Sequence, residues 1–162
     1  MRPRLARPES LRRISFGGPA AIVSSVALIV GLDAAAADRT AIAGSLLILA
    51  LADNLTDTLG VHIYQEAERL AQPEAFRTTV TNFLTRLLVS LSFVALVLTT
   101  RAPLRSYLCL VWGLLLLALL SYLVARARAA SPAAVIARHC GVALIVIALS
   151  AAIGRLVPLW VG

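Results

Sequence analysis

The chain has 162 residues, 60% of them hydrophobic and only 14% charged, with a formal net charge of +7. Soluble domains carry about one-quarter charged residues, so this composition excludes an ordinary soluble protein and marks an integral membrane one. All the basic residues are arginines scattered between apolar runs without interleaved aromatics, which excludes a nucleic-acid-binding surface despite the positive charge.

Taken in chain order, apolar segments at about 14–32, 41–63, 80–100, 104–125 and 140–161 each approach the ~20 residues needed to cross a bilayer. The expected fold is therefore all-α: one transmembrane domain over residues 1–162, a bundle of five spans with no room for a separate soluble domain. Arg2, Arg4, Arg7, Arg12, Arg13, Arg69, Arg77, Arg86, Arg126, Arg128 and Arg138 gather on one side of the membrane, against Arg39, Arg101, Arg105 and Arg155 on the other. Because the side richer in Arg stays in the cytoplasm, the N-terminus is expected inside and the C-terminus outside. Arginine without lysine, together with abundant alanine, points to a bacterial plasma membrane.

The first segment follows a basic stretch and ends at Ala34–Ala37, which imitates a signal peptide with its cleavage site. Its apolar run exceeds the ~7–15 residues of such a peptide, so it is expected to remain as a span. Gly17, Ala21 and Ser25 recur every four residues and give this helix a smooth face of the kind along which membrane helices approach closely. That face is open to two uses, packing within the chain or contact between subunits.

The second segment carries the most informative residues, Asp53 and Asp57, deep in an otherwise apolar run. A carboxylate at that depth costs a few kcal/mol and usually marks an ion path, a proton relay or a buried partner. Advancing about 100° per residue from Asp53, Asp57, Gly60, Tyr64 and Glu68 fall within roughly 60° of it, whereas His62 lies opposite. Asn54 and Thr56 flank the stripe, as further oxygen ligands or as hydrogen-bond partners of the carboxylates. Arg86, early in the third segment, is the candidate partner for an ion pair with Asp57, and Arg155 a more distant one for Asp53. Two readings thus stand: a metal site at Asp53 and Asp57, with Asn54, Thr56, Tyr64 and Glu68 as accessories, or structural pairing with Arg86.

In the remaining spans Ser90, Ser92, Ser121 and Ser150 suit hydrogen bonds between helices. Cys109 and Cys140 lie in separate apolar segments and read as small buried hydrophobes. Neither a nucleophilic triad, a phosphate-cradling glycine loop nor a Cys/His cluster is present in the sequence. The chain is expected not to be an enzyme and to need no resident cofactor.

The run Phe16-Gly17-Gly18-Pro19-Ala20-Ala21-Ile22-Val23-Ser24-Ser25, continuing to Gly31, resembles the first helix of the vacuolar iron transporter family, F-G-x-N-D-G-[IL]-V-[ST]-T-F-x-x-V-x-G. Ala52-Asp53-Asn54-Leu55-Thr56-Asp57-Thr58-Leu59-Gly60 is similar to that family's second-helix pattern A-G-A-x-S-M-A-x-G-E-Y. Ala152-Ile153-Gly154-Arg155-Leu156-Val157 is similar to its closing I-G-R-L run. The resemblance implies a homodimeric carrier in the lipid bilayer that exports ferrous iron or manganese from the cytoplasm in exchange for protons. It also departs from the family: the first-helix metal Asp falls at Ala20, the second-helix Met at Asp57 and the following Glu at Val61, and the large cytoplasmic metal-binding insertion is missing. At ~1.5 Å per residue Asp57 lies roughly 24 Å from the outer start of its helix and Ala20 roughly 9 Å from the inner start of the first, similar depths in a ~30 Å core. A rebuilt site with its carboxylates on the second helix is the expectation, harder in donor character and suited to manganese, magnesium or ferrous iron. The alternative is a transporter-like membrane scaffold that has lost metal transport, either as a non-metal ion carrier or as a subunit without transport activity.

Overall fold

A computed structural model describes residues 9–67 and 72–161. The chain forms five helices, α1 (Glu9–Ala34), α2 (Arg39–Ala67), α3 (Gln72–Thr99), α4 (Leu104–Ala127) and α5 (Pro132–Val161), with no strand among the described residues. By length and composition α2, α3, α4 and α5 can each cross a membrane, and the described part of α1 adds an apolar run, Gly18–Ala34. The all-α bundle of an integral membrane protein is what this chain forms.

The helices outrun the apolar segments that foretold them. α3 starts at Gln72 rather than near 80 and α5 at Pro132 rather than near 140. Hydropathy marks the part of a helix that suits lipid, whereas backbone hydrogen bonding carries the helix on into polar sequence. The difference relocates Arg86, which lies roughly 21 Å along α3 at ~1.5 Å per residue, near the middle of the helix instead of close to its start.

The connections at two helix ends share one design. Ala37 N–H donates to Leu32 O and Ala36 N–H to Asp33 O after α1; Ala130 N–H donates to Ala125 O and Ala129 N–H to Arg126 O after α4. This is the double bond of a Schellman cap, which requires a left-handed residue where glycine is usual. Here alanine fills it both times, at Ala36 (φ 59°) and Ala129 (φ 51°). The Ala34–Ala37 stretch is thus a helix-ending turn, followed by Asp38, whose carboxylate accepts from the Ala41 N–H at 2.8 Å and caps α2.

α1 is the axis of the bundle and packs against all four other helices, whereas α2 touches only α1 and α3 among the described residues. Contacts fix the directions. Along α1 and α4, Gly18 meets Leu120, Val26 meets Gly113 and Asp33 meets Arg105, so these helices are antiparallel. Along α2 and α3, Arg39 donates to Leu98 O and Asn54 to Phe83 O, also antiparallel. α1 and α5 run parallel, with Ala27 and Gly31 facing Ser150 and Gly154.

The α1–α5 seam is the tightest. Ser150 Oγ donates to Ala27 O at 2.6 Å, and a Cβ placed on Gly154 would collide with the backbone carbonyl of Gly31. Small residues spaced by four on both helices permit this backbone contact, the means by which membrane helices gain dispersion energy in a solvent as apolar as themselves. Gly113 plays the same part on α4, where a Cβ would collide with Val26. Around these approaches Ile22, Val26, Ile29, Ile42, Leu46, Phe93 and Val97 fill the interior. The outward faces of α2, α4 and α5 carry exposed large apolar side chains such as Ile48, Leu115 and Ile145, as a lipid-facing surface requires.

Ala21 and Ser25 are buried inside the chain, at 4% and 1% exposure, so these two residues of the face serve packing within the chain. The packing of Gly17, the third residue of the series, lies outside the described residues.

Candidate functional site

Asp53 and Asp57 are one helical turn apart on α2, so their side chains emerge on one face. That face meets α3 where Arg86 stands. Arg86 Nη2 donates to Asp53 Oδ2 at 2.5 Å and Nη1 lies 2.5 Å from Asp57 Oδ2. The guanidinium is a planar fork whose two ends can serve two acceptors at once, and the i, i+4 spacing sets the acceptors at the right separation. The arginine side chain is 3% exposed, while those of Asp53 and Asp57 are 39% and 45% exposed. The cation is enclosed and the carboxylates are partly exposed.

Asn54, the next residue on α2, turns inward. Its Nδ2 donates to Phe83 O at 2.9 Å, which fixes the amide and leaves Oδ1 buried with no hydrogen-bond partner. Ser25 Oγ on α1 is likewise buried and without a partner. Both residues line a cavity of about 10 Å³ between α1, α2 and α3, together with Ser24, Asp53, Arg86 and Ser90. Ala21 also lines it, whereas Ala20, where the resembled family keeps its metal Asp, is exposed. The depth match between the two helices therefore joins Asp53 to Ala21, and a carboxylate exchanged between Ala20 and Asp57 would not face the same space.

The remaining residues of the stripe disperse. Thr56 is exposed and its Oγ1 donates back to Ala52 O at 2.8 Å, and Tyr64 is 60% exposed. Gly60 faces open space. Glu68 lies outside the described residues. A wheel drawn from Asp53 is broad enough to hold the stripe, but among the described residues only its Asp53–Asp57 segment meets a neighbouring helix that supplies a charge. Among the described residues no group of three or more His, Cys, Asp or Glu side chains is placed to hold a metal ion. Arg155 is exposed near the end of α5, far in register from the Asp53 level.

No protein-family model, curated protein or solved structure matches this chain. The site is accordingly read from its own chemistry.

A second charged cluster, unforeseen in the sequence, lies at the end of the bundle where α1 turns into α2. Asp33 accepts hydrogen bonds from Arg105 Nη2 and from Ser106 Oγ, one bond to each carboxylate oxygen. Here both partners are enclosed, with side chains 5% exposed for Arg105 and 16% for Asp33. Asp33 stands in the last turn of α1 and Arg105 in the first turn of α4, each at the helix end whose partial charge has its own sign; the pairing offsets both penalties. Sequence alone places Arg105 among the arginines flanking the spans, and its burial shows that a flanking charge can be a structural one.

Three of the four span serines bond between helices: Ser92 accepts from Trp112 Nε1 at 3.1 Å, Ser121 Oγ lies 2.8 Å from His139 Nδ1, and Ser150 reaches Ala27 O. Ser90, the fourth, is buried at the cavity.

Proposed function

We propose that the chain is a membrane carrier for a cation, with Asp53, Asp57 and Arg86 as its exchange station. The supporting observation is an imbalance: two carboxylates converge on a single guanidinium, so these three groups together carry one excess negative charge in the middle of an apolar bundle. Such a charge favours the arrival of another cation. Arg86 then acts as the resident competitor, holding both carboxylates until a proton or metal ion displaces it. The half-exposed carboxylates in front of an enclosed arginine fit that order of access.

For the cargo, the resemblance to vacuolar iron transporters favours manganese or ferrous iron, exported from the cytoplasm in exchange for protons by a homodimer in a bacterial plasma membrane. An all-oxygen pair suits those harder divalent ions. Protons and metal compete for the same oxygens because carboxylates must be deprotonated to bind metal. The chemistry is binding and release, without a covalent step.

A specific observation also favours a second reading, a transporter-like scaffold that no longer carries metal: Arg86 engages both aspartates, and two carboxylates alone are a sparse donor set. The test is flux of manganese and ferrous iron into proteoliposomes under an imposed pH gradient. The carrier reading expects gradient-driven flux that is lost in the Asp53→Asn/Asp57→Asn variant. Equal flux in the folded variant would falsify the station, and absence of flux for any ion tested leaves the scaffold reading.

A further inference from the structure

We propose that the cavity between α1, α2 and α3 is a binding site for one sodium ion, held by Ser25 Oγ, Asn54 Oδ1 and the Asp53 carboxylate. Two independent observations meet there. The first is unmet bonding: Ser25 and Asn54 are 1% and 2% exposed, and each has a buried oxygen without a hydrogen-bond partner. A buried polar atom left unpaired costs ~1–3 kcal/mol, so two of them lining one space point to an occupant that takes oxygen ligands. The amide of Asn54 is held by its bond to Phe83 O at 2.9 Å, which commits the nitrogen elsewhere and offers the oxygen.

The second is charge. Asp53, Asp57 and Arg86 sum to one negative charge. A monovalent ion beside Asp53 brings the group to zero, whereas a divalent ion in the same place would turn one excess charge into its opposite. Arg86 also borders the cavity, but its Nη1 and Nη2 are committed to the two aspartates. The space of about 10 Å³ has room for a single water, and so for one small monovalent cation such as sodium stripped of its waters. Ser24 and Ser90, on α1 and α3 at the same cavity, supply further hydroxyls.

This site shares Asp53 with the proposed exchange station but does not depend on the chain being a metal carrier. Its test needs no flux. Thermal unfolding of the full chain in detergent is followed while sodium chloride replaces choline chloride at constant ionic strength. A ligand that binds only the folded state raises its stability in a saturable way; the expected result is a saturable rise in Tm with sodium that is absent with choline. Ser25→Ala removes one ligand and is expected to raise the half-saturating sodium concentration about tenfold, the scale for a hydrogen-bonding group lost from a charged partner. Ser92→Ala, outside the cavity, keeps the wild-type response. Identical Tm in sodium and choline overturns the site and leaves a cavity that holds water, a result obtained on the wild-type protein even if Ser25→Ala does not fold. An undiminished sodium response in folded Ser25→Ala overturns it as well. Manganese flux that persists without any sodium effect leaves the carrier reading standing and removes only this one.

Discussion

The mid-bundle cluster of Asp53, Asp57 and Arg86 and the rim cluster of Asp33, Arg105 and Ser106 use the same chemistry to opposite effect. At the rim one carboxylate meets one guanidinium, a serine hydroxyl takes the other carboxylate oxygen, and both charged side chains are enclosed. In the middle one guanidinium is divided between two carboxylates that remain half exposed. A balanced and enclosed pair has little reason to open, because each charge would be left alone in an apolar setting. An unbalanced one leaves a negative charge that a further cation would offset. The contrast separates a pair that joins two helix ends from the group we propose as the exchange station.

Arg86→Met breaks the comparison most severely. It leaves two carboxylates without their cation and is expected to destabilise the chain by ~2–3 kcal/mol, below the ~3–5 kcal/mol of a fully buried pair because the carboxylates left behind are half exposed. Chemical unfolding in detergent measures it. Adding Asp53→Asn and Asp57→Asn should restore most of the loss without restoring flux. A variant as stable as wild type would show that the aspartates do not rely on Arg86.

The rim answers a different substitution. Replacing both partners, Arg105→Met with Asp33→Leu, is expected to be neutral or to stabilise by ~1–4 kcal/mol, as apolar replacements of buried pairs often do, with ion flux unchanged. Flux lost from a fully folded double variant would make the rim part of the transport path and erase the distinction.

The smallest effect sharpens the rim's local geometry. Ala36 follows Asp33 in a left-handed conformation that costs an L-residue roughly 1–2 kcal/mol. After the greater freedom of unfolded glycine is set against this, Ala36→Gly should raise stability by roughly 0.5–1 kcal/mol, read as a small increase in Tm. A decrease would mean that the Schellman turn is not formed in the membrane.

Much of the fold was legible because lipid imposes a simple rule: long apolar runs become helices, and five runs became five helices. Boundaries were less so, since hydropathy ends where lipid ends and the helix at Gln72 does not. The aspartates stood out for the same reason the helices did, as the exception to an apolar run. What they touch depends on which helix faces them, and that follows from the antiparallel register of α2 and α3, which placed Arg86 between them. Asp33 gave no signal because it sits at a span boundary, where a charge looks solvated. The α1–α5 seam had a signal in the paired spacing of Ala27 with Gly31 and Ser150 with Gly154, but the series at Gly17, Ala21 and Ser25 is the more regular one and points to another face. The alanine caps offered no signal, since the sequence shows no glycine where the chain turns left-handed.

The seam between Gly31 and Gly154 also sets an order of events during synthesis. The central helix α1 emerges well before α5, the helix that lies against its backbone. At about 5–20 residues per second the ribosome needs on the order of ten seconds to deliver Gly154 after Gly31. Throughout that interval the groove at Gly31 is open to lipid or to whatever insertion machinery attends the nascent chain. Closure of this seam is therefore gated by arrival of α5, and chains that stop short of Gly154 should present quality-control proteases with an unclosed central helix.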